Sequence, residues 1–380
     1  MITMHNVVKR GRTAWDRALL PEDEYGERVR LVREAMAREG IDALVGIGHT
    51  ASYGSLTYLT GNVPPLGWMA VVLGRESGPC LVTGGGSRDL PFLSTQTWIG
   101  DIRPSASLFT GPAEVVAQAV EEMVGSGGTI ALAGARENLA VEAYRELLAA
   151  LPGRAPADGD ALLAPLRAVK RPRELVAQAR AQEIAHAAVD AALDAWEAGA
   201  PNAIALLVAE REARLRGARD VRVLGTLAGP WLEPVEDVSD VRLSHLGLTC
   251  AVECVGYWGQ ACGDSGSSLS PARRAVDAMT VLVRAGVPVA ELADAVEGVE
   301  LAYGLGGAIG LGLDEAPRVW AGSDETFVEG AVVALQAFAV DGDALTCAGE
   351  TLVVGRDEGV PLVESKLDRA QPEEVDVRRA

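Results

Sequence analysis

The stretch Gly304-Leu305-Gly306-Gly307-Ala308-Ile309-Gly310-Leu311-Gly312-Leu313-Asp314-Glu315-Ala316-Pro317 is the most telling in the chain. It stands among helical and strand patterns. Helical patterns at 271–285 and 289–303 lead into it, and strand patterns at 331–340 and 345–354 follow it. Further upstream, helices at 173–198 and 202–216 precede strands near 221–228 and 241–255. Pro172 suits the first turn of the first of these helices, where its missing N–H costs nothing, and Gly199 suits its end.

The first part of the chain has a different rhythm. Residues 22–39 read as an amphipathic helix with Val29, Leu31, Val32, Ala35 and Met36 on one side. Apolar strands follow at 43–47, 68–73 and 79–83, then helix 113–124, strand 129–134 and helix 138–151. Alternating strands and helices predict an α/β layered domain. The Pro-, Gly- and Asp-rich loop at 151–160 marks a boundary between domains 1–160 and 161–380. The tail past residue 365, with mixed acidic and basic residues, is expected to be poorly ordered.

Composition narrows the classes. At 380 residues, 48% apolar and 23% charged, the chain is long enough for two sizeable cores and is not of the disordered type. A net charge of −19 argues against a nucleic-acid surface, which needs clustered Lys and Arg. Cys80, Cys250, Cys254, Cys262 and Cys347 are odd in number and match no paired zinc spacing, as expected of reduced thiols in a cytoplasmic protein. Met1–Asn6 carries no secretory pattern, and no apolar run approaches the ~20 residues of a membrane span. The expectation is a soluble protein with no membrane or nucleic-acid partner.

The stretch at 304–317 resembles the Gly-His-Gly-Ile-Gly-Leu-x-x-His-Glu-x-Pro signature of the creatinase/Xaa-Pro aminopeptidase family, whose fold is called pita-bread. Leu166–Glu174 resembles that family's lead into its catalytic domain, and Ala43–Gly48 followed by Leu59-Thr60-Gly61 resembles its N-terminal domain. The resemblance implies an α/β creatinase-like N-terminal domain and an α+β pita-bread C-terminal domain, helices outside and strands inside. It also implies a homodimer in which each N-terminal domain covers the partner's pocket. Both signature histidines are absent: Gly307 and Asp314 stand in their places.

In that family two Asp, one His and two Glu bind two metal ions. Counting from Gly256-Tyr257 puts Thr249 and Gln260 at the aspartate positions, and Leu335-Gln336-Ala337-Phe338 puts Gln336 at the first glutamate. Gly349 or Glu350 takes the last position, and Gly307 the histidine. A hydrogen atom has no lone pair, and Thr and Gln offer neutral oxygens too weak for Mn, Co or Zn. The resemblance therefore implies a degenerate member with no metal and no cofactor.

Several residues remain for chemistry. Creatinase belongs to the family and works without a metal, using a histidine base; by resemblance that position falls near Leu232-Glu233, making Glu233 a candidate base or a solvated loop residue. His245 shares strand parity with Thr249, so it is either a second proton carrier or a structural histidine. Asp314 and Glu315 are candidates for proton transfer or for binding a cationic group, or for holding a loop. His49 is a faint candidate, and His186 and His5 read as incidental. Cys262 and Cys347 share the parity of Gln260 and Gly349, but nothing in sequence supplies the base a nucleophilic thiol needs, and small buried hydrophobes explain them better. Trp231, Trp258 and Trp320 are either an aromatic wall or core.

Three readings follow. The first is a metal-independent enzyme acting on a small, amino-acid-derived substrate by C–N hydrolysis or a repurposed acid/base reaction. It would use Glu233, Asp314, Glu315 or His245 for protons, and Gln260, Gln336, Thr249, Glu350, Trp231 and Trp258 to bind the substrate. The second is a non-catalytic pseudo-peptidase that binds a peptide or small molecule. The third is a metallopeptidase whose ligands lie elsewhere than this counting puts them.

Overall fold

A computed structural model describes residue 11 and residues 13–105, 112–151, 155–266, 269–297 and 299–363. Helix α1 (Glu22–Arg38) begins with three acidic residues and ends at Arg38, charges that suit the two ends of a helix dipole. Its apolar stripe, Val29, Val32, Ala35 and Met36, is buried against the first sheet. Strands β1 (Ala43–His49), β2 (Trp68–Gly74), β3 (Cys80–Thr83), β4 (Asp101–Pro104), β5 (Ile130–Ala133) and β6 (Ala157–Asp158) form a six-stranded sheet in the order β4-β3-β2-β1-β5-β6. β1 runs antiparallel to β2 and parallel to β5. Both faces of β1 are buried, so it reads as a continuous apolar run rather than an alternation. Helices α2 (Gly54–Thr60), α3 (Leu90–Leu93), α4 (Ala113–Val124), α5 (Ala135–Asn138), α6 (Val141–Ala150) and α7 (Asp160–Ala168) complete this part.

The second part opens with the long helix α8 (Pro172–Glu197) and with α9 (Asn202–Leu215). They cover one face of a three-stranded sheet of β7 (Asp220–Gly225), β8 (Gly247–Cys254) and β9 (Tyr257–Asp264). Helices α10 (Pro271–Thr280) and α11 (Ala290–Asp294) precede a five-stranded sheet ordered β11-β10-β12-β13-β14. Its strands are β10 (Gly306–Ala308), β11 (Glu315–Arg318), β12 (Val332–Asp341), β13 (Ala344–Val354) and β14 (Gly359–Pro361). On β12, Val333, Leu335, Ala337 and Ala339 pack outward beneath α10. The alternate residues turn inward: Val332 and Ala334 meet Ala251 and Trp258, while Phe338 meets Cys262. This inner face, shared by β8, β9, β12 and β13, carries the candidate site.

Two expected helices are shorter than the pattern suggested. The one expected over 289–303 is only Ala290–Asp294, because Leu301 bridges Ala339 and Ala302 N–H bonds Phe338 O at 2.8 Å, drawing that segment alongside β12. The one expected over 271–285 stops at Thr280, past which Ala285 N–H bonds Gly355 O at 2.9 Å. In both, tertiary backbone pairing overrides helical periodicity. The strand expected from residue 241 begins at Gly247. The tail past residue 365, His5 and the Met1–Asn6 segment lie outside the described residues. No helix among the described residues is long and apolar enough to cross a membrane.

Candidate functional site

Cross-strand register brings the key side chains together. Thr249 pairs with Cys262, Ala251 with Gln260, and Gln336 with Gly349. The Gln260 carboxamide donates to Gln336 Oε1 at 2.6 Å and reaches Thr249 Oγ1 at 3.5 Å. Cys262 Sγ–H lies 3.4 Å from the same hydroxyl. Thr249, Gln260 and Gln336 thus form one chain of neutral groups. Thr249 and Cys262 are buried, whereas Gln260, Gln336, Gly307 and Gly349 are partly open to solvent.

The register also decides between the two candidates for the last family position. Gly349 shares the inner face with Gln336. Glu350 pairs with Leu335 on the opposite face, where its carboxylate lies 4.0 Å from Arg273 of α10. Glu350 is therefore not on the face that carries Thr249, Gln260 and Gln336, contrary to the expectation.

The neutral chain does not fit a pair of divalent metal ions. Its donors are a hydroxyl, two carboxamides and a thiol whose pKa burial pushes up to about 12. None is an anion at neutral pH, and divalent cations need anionic or imidazole donors to replace shed water. The histidine position is closed to more than chemistry. A Cβ on Gly307 would lie 2.9 Å from Pro317 O and 3.0 Å from Arg318 Cα, because β11 pairs directly against it. Among the described residues no three His, Cys, Asp or Glu side chains converge.

What the 304–317 stretch retains is structural. Glu315 accepts from Arg167 Nη2 at 2.5 Å, from Lys170 Nζ at 3.2 Å and from Gly312 N–H at 3.1 Å. Burial raises the Glu315 carboxyl, but the charges of Lys170 and Arg167 outweigh it and bring the pKa down to about 2. A group held that firmly as a carboxylate is a poor proton donor near neutrality, so proton transfer is not its fit. Gly310 is required here: a Cβ would lie 2.8 Å from Glu315 Oε2 and 2.8 Å from Lys170 Nζ.

The other nominated residues disperse. Asp314 is exposed and bidentate with Arg318, both contacts at 2.6 Å. With Glu315, Trp258 and Trp320 it borders an open cleft of about 800 Å³ between the two parts of the chain. Trp258 is buried, with the Arg222 guanidinium 4.7 Å from its ring centre. His245 bonds Leu345 O at 3.0 Å through Nε2 and Ser265 Oγ at 3.2 Å through Nδ1. It shares a separate cavity of about 290 Å³ with Trp231. Glu233 bridges Gly225 through its backbone and accepts from Ala228 N–H at 3.2 Å, on a loop beside β7. His49 ends β1, pairing with Trp68. The thiol of Cys347 is also pushed well up by burial.

Gln182, which the motif reading passed over, holds the site. From α8 its Nε2 donates to Gln260 O at 2.7 Å and its Oε1 accepts from Gln260 N–H at 3.0 Å, capping the free edge of β9 as a strand would. Thr351 Oγ1 donates to the same Oε1 at 3.2 Å. Four residues earlier, Gln178 Nε2 donates to Ile309 O at 3.0 Å. Four residues later, His186 Nε2 lies 2.9 Å from Gln182 Nε2, so His186 is part of this row and not incidental. The available signal was three polar residues at i, i+4, i+8 on a helix face that is otherwise largely apolar.

No family model matches the sequence, and no curated protein matches it. Solved structures do. The X-Pro aminopeptidase from Thermotoga maritima MSB8 is 18% identical, with a TM-score of 0.69 over 87% of this chain and 98% of that one. The prolidase from Pyrococcus horikoshii OT3 is 16% identical, with a TM-score of 0.72 over 90% of this chain and 99% of that one. The chain has the pita-bread fold. The same fold, at a TM-score of 0.66 and 12% identity over 91% of this chain and 98% of the other, describes the N-terminal domain of the FACT complex subunit SPT16 from Cicer arietinum. At these identities the likeness is one of fold.

Proposed function

We propose that this pita-bread protein is a pseudo-peptidase, which binds a small molecule or peptide on its inner face without metal-assisted hydrolysis. The observation that carries the reading is the 2.6 Å hydrogen bond between Gln260 and Gln336, at the place where the resembling family holds metal-binding carboxylates. Two carboxylates there would repel each other without cations between them; two carboxamides satisfy each other. The enzyme reading requires an acid and a base converging on one substrate. Asp314 and Glu315 border one cleft but are each taken up, by Arg318 and by Arg167 with Lys170, while His245 lies in a separate cavity and Glu233 on the loop beside β7. One structural neighbour is named as a complex subunit and not as a peptidase, in keeping with a binding use of the fold.

The test is a peptidase assay on a panel of Xaa-Pro dipeptides, with Mn, Co or Zn added in turn. No turnover above the buffer rate is expected under any of these conditions. Turnover that depends on added metal and is lost in Gln336→Leu would overturn the reading.

A further inference from the structure

The orientation of one buried carboxamide fixes the protonation state of its neighbour. Gln182, 1% exposed on α8, has four hydrogen-bonding positions, and all four have a partner. The backbone of Gln260 does not let it flip. Gln260 N–H must donate to Oε1, at 3.0 Å, and Gln260 O must accept from Nε2, at 2.7 Å. Turned the other way, one contact would set donor against donor and the other oxygen against oxygen. The Thr351 hydroxyl takes the second lone pair of Oε1 at 3.2 Å, and the second Nε2 proton is left for His186 Nε2, 2.9 Å away. That ring nitrogen must therefore accept. The imidazole is neutral, with its own proton on Nδ1.

We propose that His186 is a proton-sensitive positioning residue: neutral, it completes Gln182 and so holds the edge of β9; protonated, it loosens that hold. An imidazolium has no lone pair on either nitrogen, so its Nε2–H would face the Gln182 NH2 donor to donor. Either the ring turns out toward solvent and strands a buried NH2 proton, or Gln182 swings and drops both backbone groups of Gln260. Both weaken the seat of Gln182. Gln260 in turn carries the 2.6 Å bond to Gln336 on β12, so a proton taken up on α8 is felt across the inner face. The latch works the same whether or not a ligand occupies that face.

On α8 the charged neighbours of His186 are Glu183, which pairs with Arg180 at 3.5 Å, and Asp190 one turn on. The elements packed against this part of the helix bring Glu210 of α9, Cys250 of β8, and Cys262 and Asp264 of β9; α10 adds Arg273, 4.0 Å from Glu350. Burial pushes the Cys250 and Cys262 thiols up to about 12, outside the range of an imidazole. Asp264, raised by burial, lies 3.9 Å from His245, and that pair is a rival source of any response to acid.

The experiment is nuclear magnetic resonance of the full chain from about pH 8 to about pH 5, the range in which imidazoles titrate. The ring nitrogen shifts of His186 at the upper end read the tautomer directly, and a proton on Nδ1 with Nε2 bare is expected. A proton on Nε2 would overturn the proposal with no variant needed. Amide exchange, corrected for its intrinsic pH dependence, reads the latch. Protection of Gln260 N–H is measured against that of Trp258 N–H, which lies on the same strand and bonds Gly310 O at 2.8 Å. The ratio is expected to fall roughly five- to tenfold on acidification, the worth of about one hydrogen bond. His186→Gln supplies an acceptor that does not titrate, and there the ratio should stay constant. A ratio that does not move in the wild-type chain, or one that falls equally in His186→Gln, overturns the proposal. Should that variant not fold, His245→Gln removes the rival pair instead: the fall is expected to persist, and its disappearance would overturn the assignment to His186.

Discussion

Replacing Glu315 by Gln removes a carboxylate that faces both Arg167 and the buried Lys170, whose side chain is 2% exposed. Its pKa falls from the ordinary 4.5 to about 2. At 1.36 kcal/mol per pKa unit, that difference corresponds to about 3 kcal/mol in favour of the ionised folded form. Breaking a buried pair by removing one partner costs a similar amount, ~3–5 kcal/mol. Because the folded pKa is depressed, the contribution is fully present above the unfolded value of 4.5 and fades as pH falls toward about 2. Urea unfolding of wild type and Glu315→Gln, followed by tryptophan fluorescence and circular dichroism from neutral pH into acid, reads this directly. The expected gap is about 3 kcal/mol at neutral pH, narrowing steadily below pH 4.5. A gap under ~1 kcal/mol at neutrality, or one that stays constant into acid, would refute the reading of Glu315 as a structural anion.

Two further substitutions probe how the site is held. Gly307→Ala places a Cβ within 2.9 Å of Pro317 O and 3.0 Å of Arg318 Cα, so β11 must shift; a loss of about 1–3 kcal/mol is expected in the same unfolding assay, and no loss would mean that β11 leaves room for a side chain. Gln182→Leu strips both backbone groups of Gln260 of their partner, at about 1–3 kcal/mol for each group left unsatisfied, and should also weaken any ligand held by the Gln260 side chain; native stability with native binding would show that Gln182 does not position Gln260.

Much of this molecule was legible from its residues. The apolar runs of β1 to β3 and the pattern of α4 carry their own periodicity, and each forms close to where it was expected. The glycine-rich stretch located β10, and counting from Gly256-Tyr257 and along Leu335–Phe338 singled out Thr249, Gln260 and Gln336, which form one hydrogen-bonded chain. What escaped depends on contacts between distant parts of the sequence. The segment after Asp294 has helical spacing yet is extended by Phe338 and Ala339, about forty residues on. The side of the sheet to which Glu350 turns follows from a register that sequence spacing left ambiguous by one residue, and one residue is enough to reverse a face. Glu315 looked like chemistry because its motif neighbours are catalytic in the resembling family. Its partners Arg167 and Lys170, some 145 residues earlier, make it a structural anion.

The most direct measurement is calorimetric titration of the metal-stripped full chain with Mn²⁺, paired with elemental analysis of the protein as purified. The account predicts no saturable binding at the inner face and no stoichiometric transition metal, because Thr249, Gln260 and Gln336 present only neutral donors. Two equivalents of tightly bound metal, released by Gln336→Leu, would contradict it.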